Sequence, residues 1–272
     1  MLPDTHVLYD FDHEETFVEL GSREIRVSLA GEGRPLLMIN GLGASLEVMT
    51  PLRRHLPNFQ TICFDPPGVG QSRLPKLPLR IRQHARVAIE LLDQLGIDQV
   101  DLFGVSWGGA LAQEIAYRYP ERVGKIILCS TMAGPGFLTT PSVYRAFFDP
   151  RKRSSEAYLS EVAPNLFGGH ARHNARELYD TGVLHKLADK TSLSFAYQMA
   201  AAVGWTSLPY LWSIKHETLI LTGDDDPLIR PYNAKLLAMA LSNSQLKVIE
   251  GEGHFLFVSS AKETAALIRE FI

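Results

Sequence analysis

The stretch "DLFGVSWGGALAQEIAYRYPERV", from Asp101 to Val123, decides the fold. It opens as a short apolar run suited to a buried strand, passes through a lone serine among glycines, and continues with helical spacing. Gly104-Val105-Ser106-Trp107-Gly108 fits the G-x-S-x-G pattern of a nucleophile elbow, a strained strand-to-helix turn that exposes one hydroxyl above a sheet edge. The glycines give room, because side chains two residues before or after the serine would collide with neighbouring backbone. The helix beginning there aims the positive end of its dipole at an oxyanion developing on a bound carbonyl. Ala110, Leu111 and Ala116 supply helix propensity or packing, and Pro120 follows the helix end. A glycine-rich turn capped by a serine is the plainer alternative, but the flanking strand and helix that the motif requires are both present.

Outward from this turn, "LLMIN", "TICFD", "VDLFG" and "KIILCS" are short apolar runs bounded by turn residues and read as fully buried parallel strands. "EIRVSLAG" alternates as a strand with one wet face would. "RIRQHARVAIELLDQLGI" puts Ala85, Ile89, Leu92 and Leu95 on one helical face. Strand alternating with helix implies an α/β fold with a doubly wound, mostly parallel sheet. From Met132 to Trp212 strand-like runs are few and aromatics many: Phe147, Phe148, Phe167, Tyr179, Phe195, Tyr197, Trp205, Tyr210 and Trp212. Gly134, Pro135 and Gly136 mark the entrance. The pattern then resumes with "ETLILTG" as a strand, "YNAKLLAMAL" as a helix, "QLKVIEG" as a strand and "AKETAALIREFI" as a closing helix. The expected organisation is one core made of residues 1–131 and 213–272, with residues 132–212 inserted as a helical lid.

A bare serine hydroxyl needs a base and an orienting acid. After an elbow serine, these come in the chain order acid, then histidine. "LTGDDDPLI" supplies the acid: Asp226, before Pro227, is the expected partner, with Asp225 as its rival. Asp226 as a cap on a short helix opened by Pro227 is the structural alternative. "EGEGHFLF" supplies the base, His254, after a strand and two loop glycines. The oxyanion hole needs two main-chain N–H donors, expected from Trp107 and, in "MINGLGASLE", from Leu42. His254 must be neutral to accept the Ser106 proton, so activity is expected to fall on acidification.

Other features bound the function. The chain has 272 residues, 46% of them hydrophobic, and a formal net charge of −3, which gives no electrostatic reason for a nucleic-acid partner. Cys63 and Cys129 lie in apolar runs and read as buried free thiols. The first residues lack a basic region followed by an apolar one, and no apolar run approaches the ~20 residues of a spanning helix, so a cytoplasmic location is expected. His170 and His173 are spaced i, i+3, but no Cys or carboxylate set completes a metal site around them. "DPPGVGQS" lacks the third glycine and the Lys-Ser/Thr of a phosphate loop, so no nucleotide cofactor is expected.

Together these motifs resemble the α/β-hydrolase superfamily over essentially the whole chain. "NGLGASLE", "FDPPGVGQS", "GVSWGGALAQ", "YPERV", "GWTSLPYLW" and "GDDDPLI" look like the intracellular depolymerases of medium-chain-length polyhydroxyalkanoates. That resemblance implies a serine esterase with a helical cap, no metal and no cofactor, and Ser106, Asp226 and His254 in the triad positions. It also implies a storage polyester with alkyl side chains as substrate, held in cytoplasmic granules. Phe195 and Trp205 are the expected substrate-binding residues of the lid. A small-molecule carboxylesterase or lactonase on the same fold is the enzymatic alternative. A catalytically silent ligand-binding or granule-coat protein is the alternative of another class.

Overall fold

The computed structural model describes residues 13–134, 145, 156–174 and 192–272. Phe147, Phe148, Tyr179, Pro135, Gly136 and the basic run Arg151 to Arg153 lie outside the described residues. Among the described residues one sheet contains β1 (Glu14–Leu20), β2 (Arg23–Ala30), β3 (Arg34–Ile39), β4 (Phe59–Phe64), β5 (Val100–Val105), β6 (Val123–Cys129), β7 (Thr218–Gly223) and β8 (Ser244–Ile249). Its order is β1-β2-β4-β3-β5-β6-β7-β8. β2 pairs antiparallel with both β1 and β4, and every other pairing is parallel. The helices used below are α1 (Ile81–Gln94), α2 (Trp107–Arg118), α3 (Glu156–Phe167), α4 (Ser192–Ala202), α5 (Tyr232–Ala240) and α6 (Ala261–Phe271).

The central strands are apolar on both sides because both sides are covered. Leu36, Met38, Phe103, Val105, Leu219 and Leu221 share one core with Phe257, Ala265 and Ile268. Leu37, Ile39, Leu102, Leu128 and Ile220 share the other with Ala85 and Leu92 of α1, Leu111 and Ile115 of α2, and Leu237 of α5. Strand neighbours thus alternate between the two cores with the period of the pleat. Each such buried aliphatic side chain contributes about 2 kcal/mol. Leu95, the carboxyl-terminal cap of α1, is half-buried and packs against the same core as Ala85, Ile89 and Leu92, as expected.

β2 corrects the sequence reading. Its polar positions were expected to be wet, yet Arg26 and Ser28 are both buried. The segment from Leu46 to Arg53 covers that face. Arg26 reaches Glu15 at 2.7 Å and Glu47 at 2.9 Å, and Arg53 donates to Ser28 Oγ at 2.9 Å and Thr61 Oγ1 at 3.0 Å. Burial opposes ionisation of Glu47, but hydrogen bonds from Ser45 and Arg26 outweigh it and hold its carboxyl down at about 2. β1 was not expected at all. It is an edge strand whose Phe17 is half-exposed, so it lacks the apolar run that marks the central strands. Cys63 and Cys129 are free and buried, and burial pushes both thiols up.

β4 and β5 both lie beside β3, on opposite sides, so the chain leaves β3 one way and returns the other. That reversal opens a crevice at the carboxyl ends of β3 and β5, where α/β sheets bind ligands. No described helix is long and apolar enough to cross a membrane.

His84 on α1 packs against Trp107, the residue after Ser106. It is buried and meets the Trp107 indole edge-on, with ring centroids 5.1 Å apart. Burial, with the Arg23 charge adding to it, pushes the imidazole from 6.5 down to about 4. As pH falls through 6.5 the unfolded chain takes up this proton, and the folded chain does so only near 4. Its contribution to stability is therefore complete above that window and is lost across it, by on the order of 3 kcal/mol. In urea unfolding followed against pH, His84→Phe is expected to show a shallower decline over this window than the wild type. Equal slopes would contradict the assignment.

Candidate active site

Ser106 follows β5 directly and takes φ 53° and ψ −116°. A non-glycine residue at such an angle costs about 1–3 kcal/mol, so the surroundings must hold it there. The Ser106 N–H donates to Cys129 O at 3.0 Å, and Thr131 Oγ1 donates to Ser106 O at 2.6 Å. α2 begins on the same carbonyl, which accepts from Gly109 N–H at 3.0 Å. The flanking glycines give the room expected of them. A Cβ at Gly104 would lie 2.6 Å from Gly108 O, and one at Gly108 would lie 2.1 Å from Ile39 O. Without those side chains the elbow sits tight against β3 and its own helix.

The loop after β3 runs alongside. A Cβ on Gly41 would stand 3.4 Å from Ser106 Cβ, so the loop backbone passes immediately next to the serine. Asn40 Nδ2 donates to Ser45 O at 2.7 Å and Leu46 N–H donates to Asp65 Oδ1 at 2.8 Å, which fixes both ends of the loop. Trp107 is the first residue of α2, so its N–H has no intrahelical acceptor. The N–H of Leu42 has no acceptor among the described residues.

The three consecutive carboxylates go three ways. Asp224 accepts from Gly251 N–H at 2.7 Å. Asp225 faces outward and pairs with Arg172, and its Oδ2 accepts from Gly169 N–H at 2.8 Å. The Arg172 guanidinium holds the Asp225 carboxyl below the usual carboxylate range. Asp226 turns inward and is buried. Its Oδ1 accepts from Leu228 N–H at 2.9 Å and Ile229 N–H at 2.8 Å, while its Oδ2 lies 2.8 Å from His254 Nδ1. Pro227 opens a bend rather than the short helix considered above, yet one Asp226 oxygen still caps it and the other meets the histidine.

Several supporting residues escaped the sequence reading. The turn that ends α3 wedges between the loops that carry Asp225 and Gly253. Phe167 O accepts from His254 N–H at 2.8 Å, and the Phe167 and Phe255 rings lie 4.6 Å apart. Gly168 and Gly169 have φ of 65° and 51°, and a Cβ on them would stand 1.9 Å from Asp225 O and 2.1 Å from Gly253 N. His170 and His173 continue this turn, and His173 is exposed. α4 crosses the β3 loop: Gln198 Oε1 accepts from Gly43 N–H at 2.7 Å, and Phe195 Cδ2 would be 3.6 Å from a Cβ on Gly43.

Glu114 of α2 gathers the "GWTS" segment. It accepts from Trp205 Nε1 at 3.0 Å and Tyr210 Oη at 2.7 Å, and it pairs with Arg118. Burial raises its carboxyl, but these three donors more than offset that and leave it low. Ser207 Oγ donates to Gln113 Oε1 at 2.6 Å. Trp205 thus has its indole nitrogen committed to α2, leaving only its ring for any ligand.

This fold, with a serine elbow and a buried Asp–His pair at the carboxyl ends of its strands, is matched by the alpha/beta hydrolase fold family over residues 34–261. The chain belongs to the α/β-hydrolase family and is a hydrolase. It is 38% identical over 266 residues to "Poly(3-hydroxyalkanoate) depolymerase" of Ectopseudomonas oleovorans, covering 94% of this chain and 91% of that one. It is 28% identical to "2-hydroxymuconate semialdehyde hydrolase" of a Pseudomonas species, covering 93% of each chain. Among solved structures, the enol-lactonase of Burkholderia xenovorans superposes with a TM-score of 0.81 at 22% identity, covering 94% of this chain and 99% of that one.

Proposed function

We propose that this chain is a serine esterase that hydrolyses the ester bonds of a medium-chain-length poly(3-hydroxyalkanoate). The buried Asp226–His254 hydrogen bond carries the reaction type, because it is the arrangement that makes a neighbouring serine nucleophilic. An ionised carboxylate only accepts, so Nδ1 carries the imidazole proton and Nε2 keeps its lone pair for the serine. Ser106 attacks the ester carbonyl and His254 takes its proton. Leu42 and Trp107 N–H groups hold the oxyanion, the alcohol end of the polymer leaves with a proton from His254, and water then releases a 3-hydroxy acid from the acyl-enzyme.

The substrate class rests on the depolymerase relative and on the aromatic character of residues 132–212. In this proposal those residues form the lid, residues 1–131 and 213–272 the core, and Phe195 and the Trp205 ring offer apolar surface to alkyl side chains. The enzyme acts in the cytoplasm at the surface of storage granules. A fluorophosphonate probe tests the nucleophile. It is expected to label the folded wild type at Ser106, with labelling lost in Ser106→Ala and slowed in His254→Ala. A folded wild type that takes no label would overturn the serine mechanism and favour a silent binding protein.

A further inference from the structure

Gln198 is buried to 2% exposure, and its two amide atoms have different fates. Because Gly43 N–H donates to it at 2.7 Å, the atom facing the loop must be the oxygen Oε1. The other end is therefore the NH2 group. That nitrogen is buried and has no acceptor among the described residues. A buried donor left unpaired is costly, and native proteins keep few of them without a use. Its position supplies the use. Gly43 is the residue after Leu42, in the loop whose Gly41 abuts Ser106, and Phe195 lies one helical turn before Gln198 against the same loop. α4 thus presents one apolar and one donating side chain beside the proposed oxyanion donors.

We infer that Gln198 is a specificity-determining residue whose Nε2 donates to an oxygen on C3 of the substrate acyl group. This rests on the esterase reading above. A 3-oxygen lies two carbons from the scissile carbonyl carbon, a span comparable to the ~3.8 Å between successive loop residues. A plain alkanoate has no acceptor there and leaves the amide unpaired, which is the arrangement that discriminates most strongly between analogues.

The test compares kcat/KM for p-nitrophenyl 3-hydroxyoctanoate and p-nitrophenyl octanoate in the full chain, with folding checked by circular dichroism. Gln198→Leu removes both contacts. Gln198→Glu keeps an oxygen for Gly43 N–H and removes the donating nitrogen. Phe195→Leu alters the same face without touching the amide. Both Gln198 variants are expected to lower the ratio of hydroxylated to plain ester by roughly ten- to hundredfold. Phe195→Leu is expected to lower both rates by the same factor. A ratio unchanged in both Gln198 variants, in a protein that still cleaves the plain ester through Ser106, would overturn the inference and leave the esterase reading standing. A wild type that cleaves neither ester would overturn both.

Discussion

Asp226→Asn is expected to lower kcat on an ester by about four orders of magnitude with the fold intact. The reason lies in what holds the carboxylate. Oδ1 accepts from Leu228 and Ile229 N–H, so the oxygen of an introduced asparagine stays there and its NH2 must face His254 Nδ1. A donor at that place forces Nδ1 to accept and moves the imidazole proton to Nε2. The atom that takes the serine proton in the proposed mechanism is then already occupied. Asp225→Asn disturbs a partly exposed pair with Arg172 and is expected to change kcat by no more than about tenfold. Steady-state kinetics on p-nitrophenyl octanoate, with circular dichroism of each variant, separates the two. Equal losses, or a larger loss at Asp225, would move the orienting role away from Asp226.

The central strands were legible because burial on both faces leaves an unmistakable mark: runs such as "TLILTG" and "KIILC" have no polar side to hide. β1 and β2 were not. β2 buries Arg26 and Ser28 by pairing them with Glu47 and Arg53, residues that follow a different strand, and alternation alone cannot show such cover. At the candidate site Ser106 and His254 stood out by motif and chain order. The choice between Asp225 and Asp226 depends on which way one peptide turns the side chain, and adjacent identical residues look alike in sequence.

The wedge at Phe167 to Gly169 was hidden for another reason. Its partners, Asp225 and Gly253, lie far along the chain, and a pair of glycines announces a turn without saying what it must fit against. Glu114 went unread because Trp205 and Tyr210, which converge on it with Arg118, lie far along the chain. The only trace of that in sequence was the density of donors in "GWTSLPY". Gln198 is the one amide in α4, "SLSFAYQMAAA", whose other polar groups are hydroxyls, and that contrast was the signal available for it.

Ser106→Ala is expected to lower kcat on the order of a millionfold, because in the proposed mechanism it removes the atom that forms the bond. The backbone of the elbow is held by main-chain and Thr131 hydrogen bonds that do not involve Ser106 Oγ, so the variant is expected to fold as the wild type does. The decisive measurement is therefore the turbidity of a medium-chain poly(3-hydroxyalkanoate) latex incubated with wild type and with Ser106→Ala. A p-nitrophenyl ester is run alongside. Clearing by the wild type alone, with 3-hydroxy acids released, is the predicted result. An uncleared latex beside Ser106-dependent cleavage of the small ester would contradict the polymer assignment and make the chain a small-ester hydrolase.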